Sequence, residues 1–107
     1  MGEVLVRRDE DGRFVGFTLQ GMQTDTTASA SAVHLLRATA ASVSGYLHIR
    51  PTFSEGKEFV LTIDRSDPHL DREIDVIMET LLIGLKMLEE EYPHDLVVRE
   101  AGAEVRV

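Results

Sequence analysis

The sequence predicts an α/β fold of the α+β kind: two layers, with a mixed sheet of about four strands and two helices on one face, in the order β-β-α-β-α-β. Three observations carry that expectation. Apolar residues alternate with a period of two around residues 15–19 and 59–63. They recur every three or four residues over 29–47 and again over 70–92, the spacing of a helix with one buried face. Turn and cap residues stand at the joints between these stretches. At 107 residues, 43% hydrophobic and 28% charged, the chain has the size and composition of one domain, and 1–107 is read as a single unit.

Val4, Leu5 and Val6 form a short apolar run ended by Arg7 and Arg8. Asp9-Glu10-Asp11-Gly12 follows as a hairpin turn, because glycine accepts the positive φ such turns demand. Val15, Phe17 and Leu19 then alternate with Gly16, Thr18 and Gln20 in a second strand. After the polar segment 21–27, Thr26 or Thr27 is placed to cap a helix, and Ser29, Val33, Leu36, Ala40, Val43 and Leu47 fall in one stripe. That helix ends near Leu47, ahead of Pro51. Phe59, Leu61 and Ile63 mark a strand over 58–64. Ser66-Asp67-Pro68 announces the next helix, with a capping side chain and proline in the first turn. Leu70, Ile74, Ile77, Leu81, Leu85, Leu88 and Tyr92 form its stripe, and Pro93 stops it. Leu96-Val97-Val98 is a last main strand, with Val105 and Val107 as a short extension.

A second stripe, Val76, Thr80, Ile83 and Met87, lies on the other flank of the long helix. Packing on a sheet needs only the first stripe. The second is expected to touch helix one or, alternatively, another copy of the chain in a homodimer, since apolar side chains left wet form a patch.

Composition narrows the function classes. The absence of cysteine removes disulfides, thiolate metal sites and thiol nucleophiles, and is what a reducing cytoplasm permits. A net charge of −8 repels phosphate backbones, so direct nucleic-acid binding is not expected. No apolar run is long enough to span a bilayer, and no signal-peptide pattern opens the chain, so membrane insertion is not expected and a cytoplasmic location is. His34, His48, His69 and His94 show no ligand spacing, and Glu89-Glu90-Glu91 splay around a helix, so no metal and no cofactor are expected. Asp71, Glu73 and Asp75 suit the positive end of a helix dipole.

The polar group with the most chemical interest is Thr27, Ser29 and Ser31, where backbone N–H groups at a helix start can hold an anion or assist a nucleophile. A serine nucleophile needs a base within hydrogen-bond reach, and Gly21-Met22-Gln23-Thr24-Asp25 offers no imidazole. Capping alone accounts for these residues.

The stretch Glu79-Thr80-Leu81-Leu82-Ile83-Gly84-Leu85-Lys86-Met87-Leu88-Glu89-Glu90-Glu91-Tyr92-Pro93 resembles the end of the ribosomal-processing cysteine protease family, Prp, in which a leucine-rich helix runs into Gly-Leu-Lys and then Glu-Tyr-Pro. The opening is similar as well: an acidic hairpin turn, Phe17-Thr18-Leu19-Gln20-Gly21, a loop and an Ala-rich helix. The resemblance implies a cysteine peptidase that trims an N-terminal extension from a large-subunit ribosomal protein. It also implies a Gly-His pair after the second strand and a cysteine opening helix one. Here Gly21 is followed by Met22 at the histidine position, and the cysteine position holds Ser29 or Ala30 depending on register. The loop is also shorter than the family's. Methionine accepts no proton and alanine carries no nucleophile, so the mechanism has lost its parts.

Three readings follow. The first is a catalytically silent Prp relative that retains peptide binding through Gly21, Met22, Thr27, Ser29 and Ser31, its acidic surface suited to a basic ribosomal-protein peptide. The second is a homo-oligomeric interaction module using Val76, Thr80, Ile83 and Met87. The third is a hydrolase with Ser29 as nucleophile and a distant histidine such as His34 as base.

Overall fold

The computed structural model describes residues 2–21 and 26–100. Strands β1 (Gly2–Arg8) and β2 (Phe14–Gln20) form the expected antiparallel hairpin. Its turn is built by Asp9, whose Oδ1 accepts the N–H groups of Asp11 and Arg13, while Gly12 sits at φ 81°. Helix α1 spans Thr27–Tyr46, strands β3 (Thr52–Glu55) and β4 (Phe59–Thr62) form a second hairpin, helix α2 spans Asp71–Glu91, and β5 covers Leu96–Glu100.

The sheet is mixed and has five strands in the order β3-β4-β2-β1-β5. All pairings are antiparallel except β1 with β5, which run parallel. Strand β3 is the element that residue patterning does not announce. It is an edge strand whose residues are exposed or half-buried, so it carries no apolar alternation; only Phe53 packs on the core. The extension expected at Val105 and Val107 lies outside the described residues.

One face of the sheet is dry. Val4 pairs with Leu19, Val6 with Phe17 and Phe17 with Leu61, so these fully buried side chains share a face. Helix α1 contributes Ala28, Ala32, Val33, Leu36, Ala40 and Val43 to the core, and α2 contributes Ile74, Met78, Leu81, Leu82 and Leu85. The buried face of α2 is therefore wider than the expected stripe, adding Met78 and Leu82, while Ile77, Leu88 and Tyr92 are only partly buried.

The opposite sheet face is closed by a charged side chain. Arg7 extends over Gly16 and donates to the Leu61 carbonyl and to Thr62 Oγ1, both at 2.8 Å. Only glycine leaves room for it, because a Cβ at residue 16 would collide with the Leu61 carbonyl and the Arg7 guanidinium.

A second arginine fixes the entry to α2. Arg65 is 7% exposed and donates to the Phe14 carbonyl, Asp71 Oδ1 and Asp75 Oδ1. Asp71 and Asp75 thus hold a buried guanidinium besides suiting the helix dipole. Asp67 caps the single 3-10 turn that precedes the helix, accepting from the His69 N–H, with Pro68 at its first position.

The second stripe of α2 does not pack on α1. Val76, Ile83 and Met87 are 60%, 58% and 63% exposed, which corrects the expectation of intramolecular burial. The two helices meet instead along the Gly84 flank, where the missing side chain admits Leu35. That contact turns the stripe outward, along the shoulder of the helix layer.

Candidate functional site

The start of α1 brings together the residues singled out from the sequence, and it divides them between two sides. Thr26 is the cap: its hydroxyl accepts the Ser29 N–H at 3.1 Å, and its carbonyl accepts the Ala30 N–H. Gly21, which follows β2, is exposed and adopts φ 67°, a conformation that favours glycine. Met22 lies outside the described residues, so the family histidine position has no described geometry.

Ser29 is only 1% exposed. Its side chain faces the sheet, where its Oγ lies close to where a side chain on Gly2 would begin. Ala30, the alternative register for the family nucleophile, is exposed and has no reactive atom. Thr27 is also exposed, and Ser31 is half-buried. Of the serine and threonine side chains expected to meet a ligand, Thr27 and Ser31 reach the surface and Ser29 does not. The expected partner for Ser29, His34, is exposed. Five residues of helix separate the two by about 140° around the axis, on different sides of α1.

Beside this helix start lies a groove between α1 and α2, about 560 Å³ in volume. Leu35, Met87 and Leu88 supply its apolar lining, and Ser31, His34 and Glu91 are the polar groups on it. Ala30 and Gly84 complete its lining. Its walls are mainly apolar with few polar groups.

Glu91 belongs to the acidic run at the end of α2, whose members have different roles. Glu89 is half-buried, and its Oε2 accepts the Val98 N–H at 2.9 Å, tying the helix to β5; Glu90 and Glu91 are exposed. Glu89 therefore corrects the expectation that all three form a solvated face. The α1–α2 groove was not legible beforehand, because residues about 50 positions apart, such as Ala30 and Gly84, line it together only once the helices pack.

No family model matches the chain, and comparison with curated proteins finds no match. Solved structures do match. The ribosomal processing protease Prp from Staphylococcus aureus in complex with a substrate peptide aligns with a TM-score of 0.79 at 20% identity, covering 94% of this chain and 99% of that one. The same protease with a covalently linked product peptide aligns at 0.78 and 19% identity, over the same shares of both chains. A protein of Streptococcus mutans aligns at 0.80 and 13% identity, covering 94% of this chain and 93% of that chain. The strand order, the two helices and the parallel β1–β5 pair are thus those of a known architecture, and this chain has the fold of the ribosomal processing protease Prp.

Proposed function

We propose that the chain is a catalytically silent relative of the ribosomal processing protease that retains a peptide-binding surface. The observation that carries this reading is a pairing of two facts. The fold is shared over 94% of the chain with a protease solved with its substrate peptide, while this sequence has no cysteine to act as its nucleophile. Burial of Ser29 supports the reading, since an oxygen sealed against the sheet cannot reach a substrate carbonyl. Ala30 contributes no nucleophile, and His34 lies about 140° around the helix from Ser29.

The peptide surface runs from Gly21 and Thr27 to Ser31 and the groove beside it. A basic segment, such as the N-terminal extension of a ribosomal protein, suits it because the chain carries a net charge of −8 and Glu91 lies on the groove. Calorimetry with a lysine- and arginine-rich peptide tests this. Binding should weaken as salt is raised from about 0.1 M to about 1 M, where the screening length falls from about 10 Å to about 3 Å. The reading fails if no heat is detected at millimolar peptide, or if the peptide is cleaved and changing Ser29 abolishes the cleavage.

A further inference from the structure

The sheet face turned away from the helices carries a cation without an anion. Register places Leu5 and Arg7 of β1, Thr18 of β2, Val60 and Thr62 of β4 and Val97 of β5 on this face. The chain has 19 acidic residues against 11 lysines and arginines. Arg7 nevertheless takes part in no ion pair among the described residues. Its Nη2 donates to the Leu61 carbonyl and to Thr62 Oγ1, both neutral acceptors, while its buried Nε has no partner among those residues. Burial holds the guanidinium below its ordinary pKa, as for a cation that has lost hydration without gaining a counter-charge.

The carboxylate on the same strand and face does not fill the role. Both oxygens of Glu3 are taken, Oε1 by Gln20 Nε2 at 2.8 Å and Oε2 by Arg99 Nε at 2.9 Å. Four residues of strand also set its backbone about 13 Å from that of Arg7. The missing anion must therefore come from outside the described residues.

The surroundings say which anion fits. One unpaired guanidinium on a chain of net charge −8 does not draw a polyanion such as nucleic acid, whose other phosphates the rest of the surface repels. Leu5, Val60 and Val97 on the same face are half-buried and offer apolar contact. A single carboxylate carried among apolar side chains is complementary to such a surface, since the guanidinium fork matches a carboxylate and the aliphatic groups cover the sheet.

We infer that the sheet face away from the helices docks an acidic, apolar segment of a partner protein, with one Asp or Glu carboxylate accepting from Arg7. This layer is opposite the α1–α2 groove, so the acidic partner and the basic peptide of the groove stand or fall separately.

The probe is a synthetic peptide with one glutamate between a leucine and a valine, compared with the same peptide carrying glutamine. In NMR titrations of the full chain, the glutamate peptide should move the Arg7 Nε–H resonance and the amides of Leu5, Thr18 and Val60. It should bind at least about tenfold tighter than the glutamine peptide, and Arg7→Gln should remove that preference. Thr52→Glu is a second test that leaves Arg7 in place and serves even if Arg7→Gln fails to fold. Thr52 is exposed and pairs with Thr62, to which Arg7 donates, so a glutamate there supplies the missing anion from within the chain. Thr52→Glu should raise the urea midpoint above that of Thr52→Gln and weaken the glutamate peptide at least about tenfold. Equal binding of the two peptides, or none at millimolar concentration, overturns the inference. So do a preference that survives Arg7→Gln, shifts confined to Ser31, His34 and Leu88 in the groove, or a Thr52→Glu chain no more stable than Thr52→Gln.

Discussion

Gly16 is the residue at which the sheet admits no alternative. A methyl group there meets the Leu61 carbonyl, which is held in a strand pairing, and the Arg7 guanidinium, which is held by two hydrogen bonds. Gly16→Ala should cost about 1–3 kcal/mol of stability, the range for overpacking, read from urea denaturation midpoints at constant slope. Asp9 makes a different kind of contribution. The Arg13 backbone N–H, supported by the Arg13 side chain and the Asp11 N–H, holds its carboxyl below the ordinary 3.8. A carboxylate with a lowered folded pKa stabilises the fold fully above its unfolded value, and the effect disappears as pH falls through the folded one. Chemical-shift titration should give Asp9 a midpoint below 3.8, and Asp9→Asn should flatten the loss of thermal stability in that acid window. The turn itself was legible, since Asp-Gly is a local signal. Ser29 was not. Its burial depends on the sheet rather than on its neighbours in sequence, and a cap, a nucleophile and a packed hydroxyl all look alike in a one-letter string.

The elements were legible where an element faces the core along its whole length. Both helices emerge from spacing alone, because α1 and α2 each turn one continuous face inward. Strand β3 was missed because an edge strand with both faces half wet has no period to read. Helix α2 also shows how two stripes of similar hydropathy can differ in energy. Met78 is fully buried and Ile83 is 58% exposed. Met78→Ala should destabilise the folded chain by about 2–5 kcal/mol, whereas Ile83→Ser should stay within about 0.5 kcal/mol. Thermal unfolding at low protein concentration, where self-association does not contribute, distinguishes the two. Equal losses would mean that the second stripe packs inside the molecule after all.

At the scale of the whole molecule, the sheet joins the two most distant parts of the described chain. Gly2 pairs with Leu96 and Val6 with Glu100, and Arg8 reinforces the join through an ion pair with Glu100 at 2.8 Å. Similarity at 20% identity preserves this arrangement because long-range pairing constrains the pattern of apolar residues rather than their identities. The pairing also sets an order of events during synthesis. The first strand leaves the ribosome with the hairpin and can pair with β2 at once, but its other edge has no partner until residues 96–100 emerge. For most of translation that edge offers open backbone donors and acceptors to any neighbouring nascent chain. A sheet whose first strand waits for its last neighbour cannot finish folding by halves, so a product halted in α2 would be left sticky rather than merely short.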